Sequence, residues 1–156
     1  MSYTKQEILE MREALSTDYS DSEFLESVDS FLSYDDIQGA VESLCSFFVH
    51  ELMCLSYSVD CEGTLETIRR ILTCINEWDG EKCDVLHRTS VLSTEFGIDS
   101  TDALQFGLLQ FILCTLNEKD FIDAGCDVLD SWLTPLGDNF LTVLNWHKEL
   151  IEVGEE

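Results

Sequence analysis

The sequence predicts an all-α protein, and three observations carry that prediction. Apolar residues recur at helical spacing along almost the whole chain, caps and glycines punctuate the runs, and no strict alternation lasts long enough for a strand. At 156 residues, 45% of them hydrophobic and one a proline, the chain suits a single helical domain spanning 1–156. That apolar content offsets the entropy of ordering, so disorder is not expected in spite of the charge.

About eight helices follow, roughly 4–15, 21–33, 35–57, 64–78, 82–95, 100–116, 118–133 and 138–152. The first two open at capping-box spacings, Thr4-x-x-Glu7 and Ser20-x-x-Glu23. The second puts Phe24, Leu25, Val28, Phe31 and Leu32 on one face, and Ile37, Val41, Leu44, Cys45, Phe48 and Leu52 continue the pattern in the third. Leu65, Ile68, Leu72 and Ile75 repeat it in the fourth, followed by a break at Gly80. The sixth begins after Asp99-Ser100, its candidate cap. Its stretch from Leu104 to Leu116, interrupted by Gln105 and Gln110, is too short to cross a bilayer and reads as a central, buried helix. Asn117 is the candidate cap of the seventh, whose apolar residues are Phe121, Val128, Leu129 and Trp132. The eighth follows Pro135 and Gly137 with Asp138 as candidate cap, and Trp132 and Trp146 are assigned to the core. Trp78 and Tyr34, at helix ends amid acids, are expected to be exposed aromatic anchors.

Two arrangements fit these helices: an irregular bundle, or a short HEAT-like stack of helical hairpins. Helix starts from residue 64 recur every 18 to 20 residues, and Ile71-Leu72-Thr73-Cys74-Ile75-Asn76-Glu77 returns 41 residues later as Ile112-Leu113-Cys114-Thr115-Leu116-Asn117-Glu118.

Charge is the anomaly. Thirty-two acids against eight bases give a formal charge of −24. Direct nucleic-acid binding needs clustered Lys and Arg, and an anionic membrane repels such a surface, so both are excluded as partners and a basic protein is favoured. No Lys or Arg stands between Arg12 and Arg69, an interval holding thirteen acids, seven of them within 18–36. These are Asp18, Asp21, Glu23, Glu26, Asp29, Asp35 and Asp36, with Tyr34 among them. A second stripe, Asp120, Asp123, Asp127 and Asp130, has the spacing of one helix face, where like charges cost roughly a few tenths of a kcal/mol per pair. Halophily or solubility is the bland explanation of such stripes. A surface complementary to a cationic protein, steering its association, explains them better.

Signatures of chemistry are missing. The sequence has no phosphate-cradling glycine loop, no Gly-x-Ser-x-Gly elbow and no His-Glu-x-x-His, so neither an enzyme nor a cofactor is expected. His50-x-x-x-Cys54 and Cys83-x-x-x-His87 each place two zinc-type ligands one helical turn apart. Buried thiols beside surface histidines explain them more simply, and no metal is expected. Seven cysteines, an odd number without a Cys-x-x-Cys pair, fit reduced thiols. With a first stretch, Met1 to Glu7, unlike a signal peptide, they point to the cytoplasm. Arg69-Arg70, preceded by Glu66, is expected to form structural helix ion pairs.

Asp18-Tyr19-Ser20-Asp21-Ser22-Glu23-Phe24-Leu25 resembles the Asp-Tyr-Thr-Glu-x-Glu-Phe helix opening of colicin nuclease immunity proteins, over eight of 156 residues. Those are small, acidic, all-helical inhibitors, and immunity proteins of contact-dependent inhibition systems are broadly similar. This chain is far longer and has no consecutive tyrosines, so their toxin contacts do not transfer. The resemblance implies a class: an immunity protein binding a basic toxin, a nuclease domain, in a 1:1 complex. The alternative is an acidic nucleic-acid mimic that blocks a restriction or defence enzyme. A helical-repeat scaffold, whose partners need not be basic, is a third class.

Overall fold

The computed structural model describes residues 3–53, 61–77, 85–99, 101–125 and 131–154. Among them are α1 (Lys5–Ser16), α2 (Glu23–Ser33), α3 (Ile37–Met53), α4 (Cys61–Glu77), α5 (Val85–Phe96), α6 (Ala103–Glu118) and α7 (Pro135–Gly154). One short antiparallel pair, β1 (Ile122–Ala124) with β2 (Ser131–Leu133), lies between α6 and α7. The fold class is all-α, as the periodicity requires.

The chain divides into two compact units, Met1–Cys61 with Thr142–Glu156, and Glu62–Leu141. The first holds α1 to α3 and most of α7. Thr4 starts α1 with a complete capping box: its hydroxyl accepts from Glu7 N at 3.2 Å, while Thr4 N donates to the Glu7 carboxylate at 2.9 Å. The expected box at Ser20 is not formed, because α2 begins at Glu23 with Ser22 at the cap position and no side-chain cap bond. α2 packs on α3 through Leu25, Val28 and Leu32, against a helix whose Val41, Leu44, Phe47 and Phe48 are fully buried. Phe47 lies edge-on to Phe48 at 5.1 Å and to Tyr19 at 5.0 Å. Tyr3 closes the unit against Trp146, with ring centroids 5.3 Å apart. Gly39 allows α3 to meet α2: a Cβ there would stand 2.4 Å from the Phe31 ring.

The second unit holds α4, α5, α6, the β-pair and the first turns of α7. Ile71 and Leu72 of α4, Leu92 of α5, Leu113 of α6 and Phe121 with Phe140 are fully buried. The two strings 41 residues apart supply equivalent inward positions, Leu72 with Leu113 and Ile75 with Leu116, all buried.

Three expectations need correction. The helix expected over 118–133 is not formed; β1 and β2 occupy part of that segment. α6 ends at Glu118 with Lys119 as its C-cap, and Asp120 takes a left-handed φ of 65°. Asn117 is no N-cap: it lies in the last turn of α6, and its side-chain oxygen accepts from Ala124 N at 3.2 Å. Thr134 ties the far end down, its amide donating to the Phe121 carbonyl at 3.2 Å and its hydroxyl to the Asp120 carbonyl at 2.5 Å. These bonds satisfy the backbone on either side of the pair without a helix. The succession of helical hairpins is therefore interrupted at this point.

Second, α6 is not buried all round. It buries Leu109, Leu113 and Leu116 and exposes Leu104 (72%), Leu108 (56%) and Phe111 (71%). Third, Trp132 is half exposed on β2 whereas Trp146 is buried as expected. Two further caps also differ. Asp102, not Asp99, caps α6 by accepting from Leu104 N and Gln105 N. Thr134 caps α7 through Gly137 N at 3.0 Å, which leaves Asp138 in the first turn. Of the cysteines, Cys45 and Cys74 are buried as small apolar groups and Cys114 is exposed. Among the described residues, no helix is long and apolar enough to cross a membrane.

Candidate acidic interface

The acids of residues 18–36 sit around α2. Its inner face is fixed by Leu25, Val28 and Leu32, so the intervening positions point outward by helical geometry. Asp18, Asp21, Glu23, Glu26, Asp29, Tyr34, Asp35 and Asp36 are all exposed, and Tyr34 retains 83% of its surface.

Three of these acids already have structural work. Asp29 receives Arg12 in a two-pronged pair, Nε to Oδ1 and Nη2 to Oδ2, both 2.9 Å. Asp35 accepts Lys5 Nζ at 2.7 Å. The hydrogen bond from Lys5, then its charge, holds the Asp35 carboxyl below the usual carboxylate range. Asp35 also has a left-handed φ of 55°, which an Asp tolerates better than most side chains. Asp36 caps α3, its carboxylate accepting from Gly39 N at 2.9 Å. The sequence contains the clue to the two ion pairs. Lys5 and Arg12 are the only cations before Arg69 and stand seven residues apart, on one face of α1.

Asp18, Asp21, Glu23 and Glu26 are different. Among the described residues, none of the four forms an ion pair with a Lys or Arg. Glu23 and Glu26 lie in the first turn of α2, where the helix dipole stabilises carboxylates by about 0.3–1 kcal/mol each. Asp18 and Asp21 lie in the turn before it. Together the four concentrate negative charge at one end of a rigid helix, with little basic charge to neutralise it.

The second stripe does not form a helix face. Asp120 stands in the left-handed turn after α6 and Asp123 on β1, paired in register with Trp132; both acids are exposed. Asp127 and Asp130 lie outside the described residues, as does Trp78. Arg69 makes the expected pair with Glu66, at 2.9 and 2.7 Å. Arg70 turns instead to α5, pairing with Glu95 at 2.9 Å and covering the Phe96 ring at 4.5 Å. His50 is exposed and stacks on Phe24 at 5.4 Å; Cys54 and Cys83 lie outside the described residues. Among the described residues, no group of three or more His, Cys, Asp or Glu is arranged to hold a metal.

No protein-family model, curated protein or solved structure matches this chain. The feature that sequence reasoning missed is the exposed strip of α6. Its signal was present: fifteen residues without a charge, 103–117, in a chain of charge −24.

Proposed function

We propose that this chain is an immunity protein, a stoichiometric inhibitor that neutralises a cationic bacterial toxin in the cytoplasm of the producing cell. The toxin class that fits is an RNase or DNase of a contact-dependent inhibition or bacteriocin system. A nuclease grips a polyanion and so carries a basic cleft or rim, which an acidic helical surface can occupy or cover.

The observation that supports this is the quartet Asp18, Asp21, Glu23 and Glu26, exposed at the start of a well-packed helix and without a basic partner among the described residues. Binding proceeds by electrostatic capture, followed by contact through an aromatic anchor, Tyr34. Charge at the rim acts mainly on the association rate, and the buried aromatic on dissociation.

The test is affinity capture with the full chain from its source cells, carrying any adjacent toxin gene, at low and then moderate salt. One basic nuclease retained in 1:1 ratio through moderate salt is the expected result. The quadruple variant Asp18→Asn, Asp21→Asn, Glu23→Gln and Glu26→Gln should bind it more slowly, with a flatter salt dependence. Many nucleic-acid-binding proteins lost together as salt rises would replace the proposal with nucleic-acid mimicry. Unchanged binding by the quadruple variant would remove α2 from the interface.

A further inference from the structure

The outer face of α6 is a second surface, of opposite character to the first. Leu104, Leu108 and Phe111 fall at i, i+4 and i+7, on one side of the helix, while Leu109, Leu113 and Leu116 are buried on the other. Gly107 lies within the same strip, and nothing comes within 4 Å of where its Cβ would be. The strip opens on the order of a few hundred Å² of contiguous apolar surface, about the size of the largest such patch on an ordinary monomer, and patches of that size are often functional.

Charge decides what can cover it. The strip carries no charge, but both of its ends do. Asp99 and Asp102 stand exposed at the start of α6, and Glu118, Asp120 and Asp123 stand exposed at and beyond its end, with Lys119 the one cation among them. The two ends lie about 24 Å apart, from 16 residues at the helical rise of about 1.5 Å. A second copy of this chain fits badly. Packed antiparallel, its Asp102 end meets the Glu118 end of the first; packed parallel, like ends meet like, so carboxylates collide in both.

We infer that the α6 strip docks an amphipathic helix of a protein partner, with apolar side chains along one face and Lys or Arg at both ends. The apolar side chains mesh with Leu104, Leu108 and Phe111, and the terminal cations reach the acids at each end of α6. This rests on the proposal of a cationic partner, and it adds to the Tyr34 anchor an apolar contact on a different helix from the acidic quartet.

The test uses the full chain and a synthetic peptide of about fifteen residues of Leu and Lys, with Leu at helical spacing. A peptide of the same composition, shuffled to break that spacing, is the control. Binding is measured by calorimetry, and peptide helicity by circular dichroism, at about 0.15 M salt. The patterned peptide should bind one to one, become helical, and bind at least about tenfold more tightly than the control. Leu108→Gln with Phe111→Gln should lose that advantage while keeping the thermal midpoint, because both side chains are exposed. The quadruple amide variant of α2 should change the affinity by less than about threefold.

Equal binding of both peptides, unaffected by the α6 substitutions, would overturn the inference in favour of charge alone. So would no binding of the patterned peptide, or a wild-type dimer in sedimentation that the α6 variant dissolves. Binding lost only in the α2 variant would sink the α6 site and leave the acidic interface standing. Binding lost only in the α6 variant supports the α6 site and gives no role to α2 in it.

Discussion

α2 and α6 share one plan and differ in what they show to solvent. Each buries a leucine-rich stripe: Leu25, Val28 and Leu32 in α2, and Leu109, Leu113 and Leu116 in α6. Opposite those stripes, α2 displays Glu23, Glu26 and Asp29, whereas α6 displays Leu104, Leu108 and Phe111. The lesson is that burial follows the neighbours an element finds, not its mean hydropathy. An amphipathic helix has one way to hide its apolar face. A helix that is apolar all round can hide any face, and only packing selects which.

Substitutions can sharpen this contrast, beginning with the glycine on which the unit of α6 depends. A Cβ at Gly137 would stand 1.9 Å from the Phe121 carbonyl oxygen, a backbone atom that cannot swing away. Gly137→Ala should therefore cost about 3 kcal/mol or more, measured by urea denaturation. Gly39→Ala in the unit of α2 first meets the partly exposed Phe31 ring, a side chain that can move, and should cost less, roughly 1 kcal/mol. Equal losses at the two sites would mean that Phe31 is as fixed as backbone.

Within α6 the two faces should separate clearly. Leu113→Ala removes a fully buried side chain and should cost about 2–5 kcal/mol, whereas Leu108→Ala should fall within about 0.5 kcal/mol of wild type. A large loss at Leu108 would show that the outer strip is covered in solution.

Alkaline pH probes a buried hydroxyl and two buried thiols. Burial, then Glu149 and Cys45, pushes the Tyr3 hydroxyl from 10.0 up to about 12. Burial likewise raises the thiols of Cys45 and Cys74 above their usual value of 9.0. A pKa raised by folding contributes stability that is complete below the unfolded value and lost as pH rises through the folded one. The thermal midpoint should hold to about pH 9 and then fall through pH 12, with Tyr3 alone contributing on the order of 3 kcal/mol. Tyr3→Phe should remove part of that decline.

The smallest effects belong to the acidic surface. Breaking the Arg12 pair with Asp29 by Arg12→Ala should cost about 0.2–1 kcal/mol, because both side chains reach solvent. Asp35 has the opposite pH sign from Tyr3: its lowered pKa contributes stability above the usual 3.8 that is lost as pH falls through the folded value. Asp35→Asn should flatten the acid limb of the stability profile without moving the alkaline one. Amides at the quartet should leave stability nearly unchanged, which keeps them usable as binding variants.

Much of the first unit was legible because local signals agree there with the fold. Thr4 and Glu7 cap α1 as their spacing predicts, and the five apolar positions of α2 lie on or beside its packed face. Lys5 and Arg12 also line up by simple helical phase. The segment after α6 was misread because Phe121, Val128, Leu129 and Trp132 can be fitted to a helical period. Adjacent Phe121 and Ile122, both buried, and Gly125 directly after β1 argue against that helix. For the same reason, Asp120 and Asp123 do not share the helix face their spacing suggests.

The sequence by itself determined the helical class, the capped start of α1, the charge of −24 and its concentration near residues 18–36. Those are properties of composition and of neighbours a few residues apart, which spacing records directly. Only the tertiary structure decided which acids are neutralised by α1, which face of α6 stays open, and that the Asn117 and Thr134 side chains hold a β-pair in place of a helix. Each of those outcomes depends on contacts between residues distant along the chain or on competition between satisfied backbones, and local periodicity carries no term for either.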